Sequence, residues 1–297
     1  MQEDTDFRKE LERLESGALV AVAAPTEAAW YDIWMTEDVS GHAPLGIALV
    51  GGALADRPAW VFHAGYQGMM HYAFPFCPNQ GWASYLVAED KSGEFPPAAV
   101  TKSAGRLRLS GSKSWVAASD HVNHLVVQVK CPDEDIMVLV ERDEPGVMLS
   151  SRDKPGFLAD MSQGFASFEA VTIRDDRVFT SIDLPVNFAH SEPHHVLTAL
   201  NAFMLSHTLS LGRDTHLVTA TASSLRQAAD LIDRDAVDDD FFLGIADLDA
   251  ETTETARIFA TFADSRDPEL SLRWQKDRGL ISMFSKGLQK RAKWLRG

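Results

Sequence analysis

The sequence has 297 residues, which is enough for about two domains of ordinary size. Hydrophobic residues make up 45% of it and charged residues 24%, a balance typical of a globular protein and unlike a disordered or fibrous chain. Acidic side chains outnumber basic ones by 43 to 28, which gives a net charge of −15 at pH 7. Because such a surface repels phosphate backbones, the composition predicts no nucleic-acid partner.

The cysteine content and the apolar runs limit the compartment. Only Cys77 and Cys131 occur, so a disulfide framework is excluded and two reduced thiols are expected. The first residues include Glu3 and Asp4, where a signal peptide would be basic. The longest apolar run, residues 43–55, is interrupted by proline and glycine and is too short to cross a bilayer. We therefore expect a cytoplasmic protein without a membrane span.

Hydrophobic periodicity divides the chain into three regions. Residues 1–80 show helical spacing, as at Phe7 and Leu11, and predict an N-terminal helical region. Residues 81–183 contain short runs rich in Val, Leu, Phe and Tyr, separated by turn residues, which indicates a β-barrel or a β-sandwich. Residues 184–297 return to the helical pattern and predict a C-terminal helical bundle. The expected fold class is α+β, with a β domain between two helical regions.

The middle region contains five segments with strand character. Each contains Val, Leu, Phe or Tyr and is flanked by Gly, Pro, Asp or Asn. The predicted strands are Trp82–Ala88, Arg106–Ser110, His124–Lys130, Ile136–Glu141 and Phe165–Ile173.

Several segments of this region resemble one known family. Gly111–Ser119 (GSKSWVAAS), followed by Asp120–Val127 (DHVNHLVV), is similar to the G-x-K-x-W-I-T-N signature of acyl-CoA dehydrogenases and the polar stretch and apolar strand that follow it. Leu86–Glu89 resembles the L-T-E strand end of that family, while Met137–Val147 and Gly164–Val178 resemble its later strands and turns. Since these segments occur in the family's order, the chain resembles a short, divergent acyl-CoA dehydrogenase, truncated relative to most members.

The resemblance implies flavin chemistry on an acyl-CoA substrate. Members of the family hold FAD against the β domain, remove hydrogen from Cα and Cβ of the acyl group, and pass electrons to electron-transfer flavoprotein or a similar acceptor. By its place in the motif, Trp115 would stack near the flavin ring, and main-chain groups of Ala88, Glu89 and Ala117 would face the pyrimidine edge of that ring. A tryptophan packed in the β core is the alternative for Trp115.

The chain departs from the family pattern beside the flavin. Ala88 and Ala117 stand where the family usually has threonines, so two hydroxyl donors are missing. The Gly/Ser-rich loop that follows the glutamate has become Asp90–Phe95, in which Ser92 is the candidate for the phosphate-binding serine.

The family's catalytic carboxylate has no clear counterpart either. We expect the Tyr-Glu-Gly turn that carries it in most members to be absent. The position that a minority use falls near Asn201 and Ala202, and neither side chain can act as a base. The titratable residues nearby are His207, Asp214 and His216, and the catalytic residue stays unassigned.

Three histidines fall between the second and third regions. The spacing of His190, His194 and His195 is compatible with a transition metal. No carboxylate partner or fixed helical frame accompanies them in the pattern. We therefore expect a polar hinge loop there and no metal site.

Two hypotheses of different classes follow from the resemblance. In the first, the chain is the non-catalytic or FAD-sharing subunit of a heteromeric acyl-CoA dehydrogenase of fatty-acid or steroid degradation, and a full-length partner chain supplies the glutamate. In the second, it is a self-sufficient FAD-dependent oxidoreductase with a relocated base. Either way a homo- or hetero-oligomer is expected, and the apolar stripe Leu280–Leu295 is the candidate interface.

Overall fold

The computed structural model describes residues 2–103, 105–132, 134–153, 155–180, 183–232, 234 and 237–297. Within these residues the chain forms nine α-helices and eight β-strands, so the predicted α+β class is confirmed. The chain divides into two compact units. The helical unit comprises Met1–Ala73 with Asn187–Gly297, and the β unit comprises Phe74–Val186.

The helical unit is built from nine helices, and the fifth begins at Asp183, just before the unit's second segment, which begins at Asn187. They are α1 (Gln2–Glu15), α2 (Glu27–Thr36), α3 (Pro44–Leu54), α4 (Pro58–Ala73), α5 (Asp183–Ser210), α6 (Thr215–Ala229), α7 (Asp239–Arg266), α8 (Pro268–Lys276) and α9 (Ser285–Leu295). Side-chain caps fix several starts: Thr26 accepts the N–H of Ala29 in α2, and Asp214 accepts the N–H of Leu217 in α6.

The centre of the helical unit is α3, in which ten of eleven residues are buried. It has no polar face, which identifies a core helix rather than an amphipathic surface helix. Glycine lets α3 approach α5 closely, since a Cβ at Gly52 would lie 2.3 Å from the carbonyl oxygen of Ala199. The backbones of the two helices are therefore in direct contact there.

The apolar stripe near the end of the chain is packed inside the helical unit. Leu280, Leu288 and Ala292 are buried, and the last two share a core cluster with Phe241 and Ile245 of α7. The prediction that this stripe forms a subunit interface is wrong for these three residues, because their own unit already covers them.

The β unit contains eight strands in two four-stranded sheets. The strands are β1 (Ala83–Leu86), β2 (Ala99–Ser103), β3 (Arg106–Ala117), β4 (His124–Val129), β5 (Ile136–Glu141), β6 (Val147–Ser151), β7 (Gln163–Ile173) and β8 (Val178–Phe179). One sheet has the order β1-β4-β5-β8 and the other β2-β3-β7-β6. The pair β1–β4 is parallel, and the other strand pairs are antiparallel.

Both sheets contribute to a single apolar core. Leu86, Leu125 and Val138 of the first sheet share a buried cluster with Leu109 and Phe168 of the second. In the described part of the chain the two sheets do not close into a barrel, so of the two predicted alternatives the sandwich is the one formed.

The helices before and after the strands belong to one unit. The predicted division into domains at 1–80, 81–183 and 184–297 stays a prediction, because a compact unit is not in itself an independently folding domain. Among the described helices, none has the length and apolar character needed to cross a membrane.

Candidate functional site

The residues that resemble the flavin-binding motif lie on an irregular part of β3. The β3–β7 ladder shifts register between Leu109 and Gly111 and again between Lys113 and Val116. Such bulges turn side chains and main-chain groups away from regular pairing. Here they direct Ser114 toward the segment after β1: its N–H donates to the carbonyl oxygen of Ala88 at 2.8 Å, and its hydroxyl donates to the carbonyl oxygen of Glu89 at 2.9 Å.

This arrangement leaves two main-chain donors available. Among the described residues, the N–H groups of Ala88 and Glu89 donate to no protein acceptor, and both residues are only half-buried. Trp115 follows Ser114 directly, is half-buried, and does not belong to the β core cluster. Its indole Nε1 lies 3.4 Å from Oε1 of Gln163. We call Ala88, Glu89, Ser114 and Trp115 the β3 wall.

Ala117 does not belong to this wall. Its side chain is buried, and its N–H already donates to the hydroxyl of Ser84 at 3.1 Å. This N–H is therefore used inside the protein, and the role of the Ala117 main chain at a flavin stays a prediction.

In the loop after the wall, Asp90–Phe95, the N–H and hydroxyl donors bind a carboxylate of the same loop. The carboxylate of Asp90 accepts the N–H groups of Ser92, Glu94 and Phe95, each at 3.0 Å, and the hydroxyl of Ser92 at 2.7 Å. The hydrogen bonds from the Ser92 hydroxyl and from the main chain at Phe95 and Ser92 lower the pKa of Asp90 to about 2. The loop is thus a ring of donors whose centre is occupied by a charged carboxylate.

The candidate phosphate-binding role of Ser92 does not fit this geometry. Its hydroxyl donates to Asp90 and also accepts the N–H of Glu94 at 3.2 Å. A phosphate placed there would meet the negative charge of Asp90 rather than free donors. The sequence alone missed this, although an Asp two residues before a Ser is a known turn signal.

A buried ion pair fixes the other side of the wall. The side chain of Lys113 is 1% exposed, and its Nζ lies 2.5 Å from Oε1 of Glu89. Burial lowers the pKa of Lys113, and the charge and hydrogen bond of Glu89 oppose that shift. Sequence reasoning assigned Glu89 only a main-chain role and did not foresee this pair.

A cavity of about 200 Å³ lies beside this pair within the β unit. Lys113, Ser112 and Ser114 provide polar groups on one side, and Phe95 and Phe165 provide aromatic surface. The volume is below the roughly 300 Å³ at which pockets for drug-sized ligands begin, so it admits only part of a dinucleotide.

Comparison with known proteins gives a result at the level of structure only. No protein-family model and no curated relative matches the sequence. Among solved structures, FkbI, for biosynthesis of the methoxymalonyl extender unit of FK520, is 14% identical with a TM-score of 0.66, and the match covers 99% of each chain. Glutaryl-CoA dehydrogenase from Mycobacterium smegmatis in complex with FADH2 is 12% identical with a TM-score of 0.62, and the match covers 99% of this chain and 94% of that one. The ChsE4–ChsE5 complex from Mycobacterium tuberculosis is 12% identical with a TM-score of 0.58, and the match covers 99% of this chain and 96% of that one.

The chain has the acyl-CoA dehydrogenase fold. The resemblance inferred from the motifs of the β unit is confirmed at this level. At identities of 12–14% the similarity concerns the fold, and the site must be argued from the residues present.

None of the residues that the sequence placed near the expected catalytic base is arranged to act as one. His207 is buried, its Nε2 lies 3.1 Å from the carbonyl oxygen of Ala55, and burial lowers its pKa to about 4. Asp214 caps α6, and His216 is exposed. Asn201 is buried, with its amide donating to Leu197 and Thr252, beside the apolar Ala202.

One carboxyl group that sequence reasoning missed has the properties of a base. Glu192 lies on α5, and burial raises its pKa to about 7. A carboxyl that titrates near neutrality can accept a proton in the physiological range. A signal was available in the sequence, because Glu192 is the only carboxylate between Asp183 and Asp214.

The three histidines predicted for a hinge loop belong to α5 instead. His194 and His195 are buried and bond to the carbonyl oxygens of Ala228 and Ser191 at 2.8 and 2.9 Å. Burial lowers their pKa values to about 4 and 3, so both imidazoles are neutral at pH 7. His190 packs edge-on against the ring of Phe242. The prediction of a hinge was wrong because Pro193 and the polar side chains are accommodated within a helix.

Proposed function

We propose that this protein is an acyl-CoA dehydrogenase-like flavoprotein subunit that shares FAD with a catalytic partner chain. The observation that carries the proposal is the β3 wall, where Ser114 contacts the segment that holds two unused main-chain donors and the next residue of β3, Trp115, has a half-buried indole. The complex would carry out α,β-dehydrogenation of an acyl-CoA thioester of fatty-acid or steroid degradation and transfer electrons to electron-transfer flavoprotein or a similar acceptor.

The wall suits the ring system of a flavin. The N–H groups of Ala88 and Glu89 would donate to the carbonyl oxygens of the pyrimidine edge, whatever the side chains are. The indole of Trp115 would cover the ring and exclude water from it. A bound flavin would supply the hydride acceptor of the dehydrogenation.

The loop after the wall does not suit the diphosphate of FAD, and this supports sharing rather than sole ownership of the cofactor. The donors that would face a phosphate bind the carboxylate of Asp90. A second chain would then provide the diphosphate contacts. One of the structures similar in fold, ChsE4–ChsE5, is itself a complex of two different chains.

Visible spectra of the purified chain test this proposal. The chain alone should retain little flavin, and co-expression with its full-length acyl-CoA dehydrogenase partner should yield a yellow complex bleached by acyl-CoA. Trp115→Ala should lower the flavin content of that complex, and Trp294→Ala is the matched control, since Trp294 is 78% exposed on α9. Equal flavin content in both variants would remove Trp115 from the site.

A second function is favoured by one observation, the raised pKa of Glu192. In this alternative the chain is a self-sufficient FAD-dependent dehydrogenase, and Glu192 takes the α-proton of the substrate. It predicts that the chain alone reduces bound flavin with an acyl-CoA, and that Glu192→Gln abolishes the reaction. Glu254→Gln, on the exposed face of α7, is the matched control. Full activity of Glu192→Gln would eliminate this alternative.

A further inference from the structure

Three metal-ligating side chains meet between α1 and the turn that precedes α3. Asp6 and Glu10 lie one helical turn apart on α1 and therefore share a face of the helix. His42 lies in the turn before α3. One ligand atom from each residue lies within 4.8 Å of the other two. This group belongs to the helical unit and takes no part in the β3 wall.

The distance between Asp6 and His42 is typical of two ligands of one ion. Nδ1 of His42 lies 3.4 Å from Oδ2 of Asp6 and 3.5 Å from Oδ1. A charge-assisted hydrogen bond would be about 2.7–2.9 Å long. Two ligands that bind a tetrahedral ion at about 2.0–2.1 Å are roughly 3.3 Å apart. The contact is at the long limit of a hydrogen bond, and the same spacing would let the imidazole and the carboxylate bind one ion.

Glu10 supplies the second, independent observation. Its side chain is 0% exposed, and its Oε2 accepts a hydrogen bond from Arg13 at 2.5 Å. Its Oε1 is buried and accepts no hydrogen bond from the described residues. Nζ of Lys9, on a side chain that is 71% exposed, lies 3.5 Å from Oε1. A buried carboxylate oxygen without a donor is costly, and a cation would satisfy it.

The remaining contacts of the group are compatible with an ion. Oδ2 of Asp6 accepts the N–H of Ala43 at 3.1 Å, next to the start of α3. A carboxylate has further lone pairs on both oxygens, so this contact leaves Asp6 able to bind a metal. The cations that contact Glu10, Arg13 and Lys9, lie on side chains that are 45% and 71% exposed, so a metal ion would add positive charge on the buried side of these carboxylates.

We propose that Asp6, Glu10 and His42 form a binding site for a divalent zinc-class ion. The donor set of one imidazole nitrogen and two carboxylate oxygens suits Zn²⁺, with water as the fourth ligand. Calcium and magnesium favour sites built from oxygen alone with six or more ligands. The ion would join α1 to the start of α3 and so stabilise the helical unit.

Metal titration of the chelator-treated, full-length chain tests this site. We expect one Zn²⁺ per chain by equilibrium dialysis with elemental analysis, and a rise in thermal midpoint when Zn²⁺ is added. His42→Ala and Glu10→Gln should each lower the affinity about tenfold or more and remove the rise in midpoint. His216→Ala, which removes an exposed histidine elsewhere in the same unit, should change neither.

Substitution of Co²⁺ for Zn²⁺ distinguishes binding at this site from binding by other side chains. A visible spectrum of four-coordinate nitrogen and oxygen ligation that His42→Ala abolishes supports the proposal. A thiolate charge-transfer band would place the ion on Cys77 or Cys131 and overturn the proposal. Unchanged Zn²⁺ affinity in His42→Ala, or Mg²⁺ binding as tight as Zn²⁺ binding, would also overturn it. Should Glu10→Gln fail to fold by circular dichroism, His42→Ala decides, because its side chain is only partly buried. Flavin content is measured separately, so failure here is independent of the proposed flavin function.

Discussion

The Lys113–Glu89 pair allows the energetics of the β3 wall to be measured directly. The perturbation is a double-mutant cycle with Glu89→Gln, Lys113→Met and both together. The side chain of Lys113 is 1% exposed and that of Glu89 is 24% exposed, with Nζ and Oε1 2.5 Å apart. In Glu89→Gln the ammonium group stays buried without its counter-charge, and the acceptors beside it are neutral: the glutamine amide oxygen and the carbonyl oxygen of Val87, 3.4 Å away.

The expected magnitudes follow from these exposures. Removing one partner of a buried pair costs about 3–5 kcal/mol, and the partial exposure of Glu89 places Glu89→Gln near the lower limit, at about 3 kcal/mol. Lys113→Met leaves Glu89 without its cation, and because Oε2 of Glu89 is buried with no hydrogen-bond donor among the described residues, the cost is about 1–3 kcal/mol. Replacing both charges is expected to be close to neutral. The two single costs should therefore exceed the double cost by at least about 2 kcal/mol.

Native-state hydrogen exchange of peptides from β3 is the appropriate assay. Amides in the two units report their own free energies of opening, so the β unit can be followed separately from the helices. The matched control is Glu254→Gln, which breaks an exposed ion pair with Arg257 on α7 and should leave exchange in β3 unchanged. Additive effects in the cycle, or a double variant as unstable as Glu89→Gln, would refute a strongly coupled buried pair.

Three further predictions concern other parts of the chain. Gly52→Ala should destabilise the helical unit by about 3 kcal/mol or more, because its Cβ would overlap the backbone of Ala199. Gly287→Ala, which has open space around it, should instead raise the free energy of unfolding by about 1 kcal/mol. Urea unfolding measures both variants, and equal effects would contradict the close approach of Gly52 to Ala199. The pKa of Glu192 is raised from 4.5 to about 7 in the folded chain, so the folded state binds a proton that the unfolded state releases. The free energy of unfolding should therefore fall by about 2–3 kcal/mol as pH rises from 4.5 through 7. Glu192→Gln should lose this pH dependence, and an unchanged dependence would show that another group titrates. Asp90→Asn should increase proteolysis in the loop after β1, because three main-chain N–H groups lose their ionised acceptor. Unchanged proteolysis would show that the carboxylate does not stabilise the loop.

The strands could be predicted from the sequence more completely than their arrangement. The runs at 124–129 and 136–141 are continuous Val- and Leu-rich segments, and such segments form buried strands whatever their partners are. The parallel pairing of β1 with β4 and the open ends of both sheets depend on which edges meet in space, and hydrophobic alternation carries no information about that.

The candidate site shows the same limit. The motif fixes the order of Trp115, Ala88 and Glu89 along the chain, and their role at a flavin stays a prediction. The use of the Ala117 N–H inside the protein could not be predicted, since it depends on a serine hydroxyl in another strand. The role of Asp90 as the anion of its own loop likewise depends on the path of the main chain after β1.

The discontinuity of the helical unit has a consequence for synthesis on the ribosome. The β unit is one continuous segment and can complete its ladders as soon as it has emerged. Helix α3 cannot complete its packing so early, because Gly52 packs against Ala199, and about 7–30 s of translation separate the two at typical rates. During that interval the surface of α3 around Gly52 that Ala199 covers in the finished protein stays accessible to water, which makes this segment the natural target for a co-translational chaperone.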